Sequence, residues 1–425
     1  MYDKKRLALY FEDTKVVVKD SIERNLKLPS SKSIVSLIGA RRTGKTYLFY
    51  QKIATLPKEQ VILLEFENPV LSRVTVDEFG EIISQYVSLY KASYDKKLYI
   101  FIDEPQVLHN WEIGIRYLHD TFDCELYITG SSSKLLSKEI ATSLRGRNIS
   151  FYLYPLSFVE FLRFKGEGIM LPLDTKKKGF VLNLFREFLL YGGFPQVVLA
   201  ESELEKKQIL KNYYDLVVFK DIVDRYNLKN TNLIRYLIEY VVSANTKVIS
   251  IHKLFKTLQS QGFKVAKNTL YDYYSILADV FFIVSLKKHS FSVRRQELSF
   301  EKPFLIDVGY MSLFSMEDYG KRLENVVCVE LQRRRGVHDS IFFTSDNSFE
   351  CDFLIKEGAK ITKAIQVCYE LNDDNEKREI AGLVEACKTY KLKEGLLLTY
   401  DHEDSFQKDG ITIEVKPVWK WLLST

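Results

Sequence analysis

The sequence predicts a multidomain α/β protein whose first part is built around a parallel sheet. Mostly apolar segments of strand length stand at Ser33–Ile38, Leu98–Ile102 and Cys124–Ile128. The second of them is an unbroken apolar run, as a strand buried on both faces of a parallel sheet requires. A helical pattern, Tyr47–Ile53, follows the first. The chain has 425 residues, which at roughly 100–200 residues a domain corresponds to about two to four domains.

The composition is that of a folded protein, with 46% hydrophobic and 28% charged residues. No apolar run reaches the ~18 residues that a membrane helix needs. Charged residues rather than apolar ones follow the N-terminus, so we expect neither a membrane protein nor a secreted one. The 5 cysteines are widely spaced and form no CxxC pair, which argues against a zinc finger or a disulfide framework. We therefore expect free thiols, a cytoplasmic protein and no membrane partner.

The strongest motif is the glycine-rich segment Gly39–Thr46, which fits GxxxxGK[ST] between a predicted strand and a predicted helix. Glycines let successive backbone N–H groups turn toward one anion, and the helix N-terminus adds partial positive charge. Lys45 would reach the β- and γ-phosphates of a nucleotide, and the Thr46 hydroxyl would ligate Mg²⁺. The residues predicted to contact the nucleotide are Gly39, Ala40, Arg41, Arg42, Thr43, Gly44, Lys45, Thr46 and Tyr47.

Two acids, Asp103 and Glu104, end the second strand, and Asp103 stands 58 residues after Lys45. Ligands bind at the C-terminal edge of the strands in open α/β sheets. We expect Asp103 to hold the Mg²⁺ shell and Glu104 to orient and deprotonate the attacking water. The alternative is an acid pair that only caps a core strand.

The third strand ends in hydroxyls. Either Thr129 or Ser131 is expected to touch the γ-phosphate or the water, the role called sensor 1, and the sequence does not choose between them. Further on, Arg145 and Arg147 are placed to reach the γ-phosphate of a neighbouring subunit as an arginine finger, since a guanidinium stays charged and offers a planar fork of donors. That interpretation implies a homo-oligomer. The alternative is a surface arginine or one in an intrachain salt bridge.

The order of these motifs resembles that of the AAA+ ATPases often called archaeal-type ATPases, which have an uncharacterised C-terminal region. The matching segments are Gly39–Thr46, Asp103–Gln106, Ile128–Ser133, Leu144–Arg147, Tyr154–Phe161 and Tyr191–Val197. The resemblance implies a P-loop AAA+ core over residues 1–160, a helical lid over residues 161–245, and ATP and Mg²⁺ as ligands. One departure is Pro105, where many relatives carry an aliphatic residue; at the exit of a strand its missing N–H is tolerated.

Residues 246–315 have the order helix, turn, helix and two strands that is typical of a winged-helix domain. The helices are predicted at Val248–Leu258, with Ser250 as its cap, and at Asn268–Leu277. Residues 247–302 hold ten Lys or Arg against four Asp or Glu. This charge favours contact with the phosphate backbone of DNA rather than with base edges. The predicted contact residues are Lys264, Lys267, Lys287, Lys288, Arg294 and Arg295. A module that docks another protein is the alternative.

Residues 316–425 have the pattern of a second α/β unit: a helix, three strands, a helix and a last strand at Glu394–Thr399. Glu324 falls on the first helix and Asp352 on the second strand. This order of elements and acids resembles the restriction-endonuclease-like fold. In that fold two acids bind Mg²⁺, and a Glu-x-Lys pair on the following strand supplies a third ligand and a lysine that stabilises charge.

The places of that Glu-x-Lys pair are taken by Gln366 and Cys368. Glutamine does not supply the anionic oxygen that a hard cation such as Mg²⁺ prefers, and a neutral thiol does not stabilise developing negative charge. We therefore predict a degenerate nuclease site in a domain kept for binding DNA or protein. The sequence leaves open a lysine that reaches in from elsewhere, such as Lys363 or Lys360.

Together the motifs predict a cytoplasmic AAA+ ATPase that acts on DNA through its winged-helix and nuclease-like domains. An alternative from another class is a nucleotide-gated interaction protein, such as a defence or signalling switch, that binds ATP, hydrolyses it slowly and recruits partners. A third interpretation is an ATP-coupled nuclease.

Overall fold

The computed structural model describes residues 4–16, 21–90, 95–131, 144, 146–169, 171–297, 299–314, 316–345, 349–372 and 376–424. The chain divides into two compact units, residues 1–153 and residues 154–425. The glycine-rich segment and the acid pair belong to the first unit. The segments predicted as lid, winged helix and nuclease-like domain belong to the second.

The first unit is an α/β unit, as the sequence predicts. Its strands are β1 (Ile34–Ile38), β2 (Val61–Glu65), β3 (Leu98–Asp103), β4 (Cys124–Gly130) and β5 (Asn148–Tyr152). Its described helices are α1 (Lys4–Val16), α2 (Lys45–Ile53), α3 (Phe79–Leu89) and α4 (Trp111–Thr121). The strands form one sheet in the order β2-β3-β4-β1-β5, with every neighbouring pair parallel. The prediction of a parallel sheet is confirmed.

The apolar side chains of this sheet pack on both faces. All five residues of β1 are buried. The rings of Phe101 and Tyr127, on neighbouring strands, stack with centroids 4.6 Å apart, and Phe49 of α2 meets Phe101 edge-on at 5.1 Å. Because β4 lies between β1 and β3, the residues that end these three strands meet at one edge of the sheet. This packing fixes the start of α2 at that edge.

The second unit begins with helices and ends with a large sheet. Its described helices are α5 (Phe158–Phe164), α6 (Thr175–Tyr191), α7 (Pro195–Leu199), α8 (Glu203–Leu216), α9 (Thr231–Ser243), α10 (Ile251–Ser260), α11 (Lys267–Asp279), α12 (Val293–Glu297), α13 (Tyr319–Arg334), α14 (Glu376–Tyr390) and α15 (Val418–Leu423). A π-helical stretch, Val217–Asp224, continues α8. Among the described helices, none is long and apolar enough to cross a membrane.

The predicted helix–turn–helix is present in α10 and α11. The Ser250 hydroxyl accepts a hydrogen bond from the Lys253 N–H at 3.2 Å and caps α10, as predicted. Gly262 follows α10 with a φ of 83°, a left-handed conformation that glycine adopts readily. The sequence placed these elements correctly because caps and turns depend on local chemistry.

Within the described residues, the sheet of the second unit has eight strands. They are β6 (Ile283–Lys288), β7 (Glu301–Leu305), β8 (Asp339–Ser345), β9 (Glu350–Glu357), β10 (Lys360–Val367), β11 (Glu394–Thr399), β12 (Asp404–Lys408) and β13 (Ile411–Pro417). Their order is β12-β13-β11-β10-β9-β8-β6-β7. The prediction that Glu394–Thr399 is the last strand is wrong, since β13 pairs parallel with it and β12 pairs antiparallel with β13. The alternating burial of β13 is the period-two signal of a strand that the prediction overlooked.

The hairpin predicted as a wing is the edge of this same sheet. Strands β6 and β7 pair antiparallel. Strand β6 also pairs parallel with β8, where Lys287 lies opposite Phe342 and Lys288 opposite Phe343. One continuous sheet therefore carries both the hairpin and the strands of the segment predicted as a nuclease-like domain.

Candidate functional site

The glycine-rich segment connects β1 to α2 at the edge of the first sheet. Gly39 packs tightly against the backbone, because a Cβ at this position would lie 2.2 Å from the carbonyl oxygen of Leu153. Gly44 has a φ of 93°, which a larger side chain would strain. Close packing and backbone conformation thus explain the two glycines. They place Lys45 as the first residue of α2, where free N–H groups and the helix dipole favour an anion.

Lys45 lies over this segment and makes mostly uncharged contacts. Its ammonium donates hydrogen bonds to the carbonyl oxygens of Gly39 at 3.0 Å and Ala40 at 3.1 Å. Its Nζ is 3.6 Å from Oε1 of Glu104. The positive charge is therefore only partly balanced by a protein carboxylate.

Asp103, at the end of β3, contacts both the start of α2 and the end of β4. Its carboxylate accepts hydrogen bonds from the hydroxyls of Thr46, at 2.9 Å, and of Thr129. The Thr129 hydroxyl accepts in turn from the Glu104 N–H at 3.0 Å. Residues predicted from three separate segments therefore meet at the C-terminal edge of the sheet. Hydroxyl and carboxylate oxygens are the hard ligands that Mg²⁺ prefers, so the donor set fits that cation.

Glu104 is held in a strained position. Its φ of 52° is left-handed for a residue with a side chain, a conformation that costs about 1–3 kcal/mol and clusters at functional sites. Its carboxylate accepts hydrogen bonds from the Ser131 hydroxyl at 3.0 Å and from the Gln106 amide. Gln106 reaches it because Pro105 begins a tight turn directly after the strand. No role for Gln106 was predicted from the sequence.

The pKa values of the adjacent acids Asp103 and Glu104 are shifted in opposite directions. Burial, with the charge of Glu104, raises the pKa of Asp103 to about 6, although its hydroxyl partners oppose the shift. Burial also acts to raise the pKa of Glu104, but the positive charges of Lys45 and Arg41 outweigh it and lower that pKa below the ordinary value. Glu104 is therefore ionised at neutral pH, as a residue that accepts a proton from water must be.

The protein itself holds several other side chains of the loop. The buried Thr43 hydroxyl donates to the Ala40 carbonyl at 2.9 Å, and the Thr43 carbonyl accepts from Arg24 at 2.7 Å. Arg41 pairs with Glu67 at 3.3 Å. Arg24 was not predicted, because it lies outside every motif and only the fold brings it into contact with the loop.

Two of the predicted nucleotide contacts, Arg42 and Tyr47, are exposed. The Tyr47 ring lies edge-on to Tyr50, with centroids 5.7 Å apart. Contact between these side chains and a nucleotide stays a prediction.

Arg147 is engaged within the chain. Its Nε lies 3.1 Å from Oδ1 of Asp120, near the end of α4. This is the intrachain pairing that the sequence left as the alternative to an arginine finger. Arg145 lies outside the described residues.

The predicted DNA-contact residues all fall in the second unit. Lys264 is exposed just before α11. Lys267 begins that helix, with its Nζ 5.6 Å from the ring centre of Tyr271. Lys287 pairs with Glu297 at 2.5 Å. Part of the predicted positive charge is therefore already balanced.

The connection between β6 and β7 combines positive and apolar side chains. Arg294 and Arg295 are exposed on α12, and Lys288 is half-buried at the end of β6. Among the described residues of this connection, three large apolar side chains are exposed: Phe291 at 81%, Val293 at 75% and Phe300 at 61%. The connection could therefore contact either a polyanion or an apolar partner surface.

A second charged cluster lies around Lys302 of β7, whose side chain is 2% exposed. Its Nζ is 2.7 Å from Glu324 Oε1, 2.9 Å from Asp352 Oδ1 and 3.2 Å from Glu350 Oε1. Burial alone would lower the pKa of Lys302, but the charges of Asp352, Glu324 and Glu350 raise it well above its ordinary value. In the sequence, Lys302 is one of the ten basic residues of the region predicted to bind DNA. The fold instead buries it among acids from α13 and β9.

The other two residues of the predicted nuclease-like site, Gln366 and Cys368, form hydrogen bonds with other groups of the protein. The Gln366 side chain accepts from the Asp352 N–H at 3.2 Å and donates to Glu379 at 2.6 Å. The Cys368 thiol donates to the Glu370 carbonyl at 3.0 Å. Of the four predicted residues, Glu324 and Asp352 meet through Lys302, Gln366 lies beside them, and Cys368 has its own partner.

Known families match two parts of the chain. A family model described as an AAA domain matches residues 31–162, and a domain of unknown function (DUF8612) matches residues 182–318. The uncharacterized protein MJ1544 of Methanocaldococcus jannaschii is 34% identical over 435 residues, covering 97% of this chain and 96% of that protein. An uncharacterized protein of Haemophilus influenzae is 29% identical over 411 residues, covering 95% of this chain and 97% of that protein.

Two solved structures that resemble the chain do so at a low level. The Aeropyrum pernix ORC1 protein in complex with DNA has 14% identity and a TM-score of 0.31, with 76% of this chain and 94% of that chain covered. Cdc6p of Pyrobaculum aerophilum has 10% identity and a TM-score of 0.26, with 77% and 94% covered. TM-scores of this size carry no functional implication.

Proposed function

Since this chain belongs to the family of the uncharacterized M. jannaschii protein MJ1544 and carries an AAA domain, we propose that it binds and hydrolyses ATP and acts on DNA. The observation that carries the ATPase proposal is the meeting of Lys45, Thr46, Asp103 and Glu104 at the C-terminal edge of the first sheet. Two segments that are separate in sequence, the start of α2 and the end of β3, supply these groups. An acid pair that only capped a strand would not need the lysine and the hydroxyl beside it.

Phosphate binding follows from the start of α2. The triphosphate would lie against the backbone N–H groups of Gly39–Thr46, at the positive end of the helix dipole. Lys45 would exchange its carbonyl partners for phosphate oxygens, since its charge is only partly balanced within the protein. The Thr46 hydroxyl and the Asp103 carboxylate would hold Mg²⁺, which supplies neutralisation of the phosphate charge when bound.

The hydrolytic step is assigned to Glu104. Its carboxylate would orient the attacking water and take its proton at Oε1 or Oε2. Ser131 and Gln106 fix the orientation of that carboxylate. Thr129 links the Asp103 side chain to the Glu104 backbone. Thr129 is thus the better candidate for reporting a change at the metal, and Ser131 for positioning Glu104.

Nucleotide affinity tests the assignment of Gly39–Thr46 as the phosphate-binding segment. We expect Lys45→Ala to abolish binding of adenine nucleotides measured with Mg²⁺ by calorimetry, because the phosphates lose their only lysine on the segment. Lys52→Ala, on the same helix but outside the motif, is the matched control and should bind normally. Wild-type protein without affinity for adenine nucleotides would refute the proposal.

Action on DNA rests on the second unit. The order α10, α11 and the β6–β7 hairpin suits a winged helix, and exposed Lys264, Arg294 and Arg295 suit phosphate contacts. We expect double-stranded or single-stranded DNA to stimulate ATP turnover. We also expect the logarithm of DNA affinity to fall steeply with the logarithm of salt concentration.

A charge-reversal variant locates the DNA surface. Changing Lys287, Lys288, Arg294 and Arg295 to Glu should weaken DNA binding at least tenfold and make the salt slope shallower by about 2–4. The control variant reverses four exposed lysines elsewhere in the second unit. These are Lys176, Lys177, Lys207 and Lys393. Unchanged DNA binding in the first variant would contradict the placement of the surface.

The second candidate function is a nucleotide-gated switch that recruits a protein. It is favoured by the exposed Phe291, Val293 and Phe300, since exposed apolar side chains grouped on one connection are typical of protein contacts. ATP turnover that is indifferent to DNA, together with no salt-dependent DNA binding by the wild-type protein, would favour this candidate over the first.

A further inference from the structure

We propose that Lys302 takes the place of a divalent cation in the acidic cluster of the second unit, so that this cluster binds no metal ion and serves to hold β7 to α13 and β9. The inference is independent of the nucleotide site. It concerns a cluster whose resemblance to nucleases implies a metal at Glu324 and Asp352.

The position of the ammonium carries the argument. Nζ of Lys302 lies 2.7 to 3.2 Å from three carboxylates that come from two elements. A Mg²⁺ ion bound to the same oxygens would sit at about 2.0–2.1 Å from each of them. It would therefore overlap the space of the ammonium group, and two cations at such short distance repel strongly where water is excluded.

Two further oxygens of the cluster already accept hydrogen bonds within the protein. The second carboxylate oxygen of Asp352 accepts from the Val367 N–H at 3.0 Å. The amide oxygen of Gln366 accepts from the Asp352 N–H at 3.2 Å. Because Mg²⁺ needs near-octahedral coordination by oxygen, the residues present do not fit the metal that the resemblance implies.

The same contacts explain why a lysine is buried here. A buried ammonium is tolerated only when carboxylates compensate it, and Glu324 and Asp352 are both largely buried. Glu350 closes the cluster from the solvent side with a side chain that is 52% exposed. Removing the ammonium would leave the carboxylates uncompensated and would open the central position to a cation.

The test is a titration of full-length, nucleotide-free protein with Mn²⁺, with bound metal measured by electron paramagnetic resonance. Every sample carries Thr46→Val, so that the first unit lacks its hydroxyl ligand. The proteins compared are otherwise unchanged, Asp352→Asn, Lys302→Met, and the double variant Lys302→Met with Asp352→Asn. Lys360→Met, an exposed lysine on β10, is the matched control.

When Lys302 is present, we expect the same Mn²⁺ binding with and without the Asp352→Asn substitution. Lys302→Met should gain one Mn²⁺ per chain, at least tenfold tighter than any binding by the Lys360→Met control, and the double variant should lose it. Two results would overturn the proposal: stoichiometric Mn²⁺ binding by the protein with Lys302 that Asp352→Asn abolishes, or Mn²⁺-dependent DNA cleavage with the same sensitivity. Both are measured on protein that retains Lys302, so the decision does not depend on the folding of Lys302→Met.

Discussion

Each unit of this molecule holds a lysine close to acidic side chains, and the two lysines have different partners. Lys45 donates to backbone carbonyls at 3.0 and 3.1 Å and lies 3.6 Å from Glu104. Lys302 lies within 3.2 Å of three carboxylates. The charge of the first is left for a ligand to balance, whereas the charge of the second is balanced inside the fold. An acid–lysine set therefore indicates a ligand site only when its cation is not already neutralised.

The largest effect is expected at the first site. Glu104→Gln should lower ATP turnover by about 10²–10⁴-fold, because the amide cannot accept a proton from water. Nucleotide affinity should be nearly unchanged, since Lys45 and Thr46 are intact. The measurement is turnover alongside nucleotide binding. Glu67→Gln, an acid that pairs with Arg41 in the same unit, is the control and should keep its turnover. Equal loss in both variants would remove Glu104 from the reaction.

Substituting either lysine by Met should destabilise its own unit, and the loss of stability should be larger for Lys302 than for Lys45. Lys302→Met leaves buried carboxylates unpaired and should destabilise the second unit by about 3–5 kcal/mol. Lys45→Met breaks hydrogen bonds to neutral carbonyls and takes the ammonium away from one buried carboxylate, that of Glu104 at 3.6 Å. It should therefore cost the first unit less, about 1–3 kcal/mol. Hydrogen exchange followed by mass spectrometry reports opening free energies for peptides of each unit separately. Equal destabilisation by the two substitutions would contradict the comparison.

Asp307 extends the comparison of buried charges to a carboxylate that has no lysine partner among its described hydrogen bonds. It accepts hydrogen bonds from the backbone N–H groups of Gly193 at 2.7 Å and Gly309 at 2.8 Å. Burial raises its pKa from 3.8 to about 6. Its folded-state pKa therefore lies above the unfolded value, so its contribution to stability is full below about pH 4 and is lost as the pH rises through about 6.

The size of this effect follows from the shift. Relative to Asp307→Asn, which does not titrate, the free energy of unfolding of the wild type should fall by about 2–3 kcal/mol between pH 4 and pH 7. Urea unfolding at several pH values measures it. A difference between the two proteins that stays constant over this range would show that burial does not shift this carboxyl group.

The smallest effect is expected at Arg147, whose partner Asp120 is exposed to solvent. A double-mutant cycle with Arg147→Ala and Asp120→Ala should give a coupling of less than about 1 kcal/mol, as surface ion pairs do. ATP turnover of Arg147→Ala should stay close to the wild-type value. A fall in ATP turnover of tenfold or more would show that Arg147 takes part in the reaction and would support the arginine-finger interpretation.

The first site was predictable because its signals are local. Gly44 is needed for a left-handed turn, Gly39 for close packing against Leu153, and Asp103 stands where a buried strand ends. Gln106 was not predicted, because its role depends on the turn at Pro105 bringing its amide back to Glu104. The last two strands were overlooked although β13 carries an alternating pattern of its own.

The sequence by itself determined the α/β class, the nucleotide-type loop and the helix–turn–helix, because periodicity, caps and glycine conformations act between residues close in the chain. Only the tertiary structure decided the role of Lys302. In the sequence it is one of ten basic residues of its region, and Asp352 follows it by 50 residues. An ion pair over that separation forms when strands assemble, and it leaves no local pattern. Burial then decides whether a charge serves a ligand or the fold.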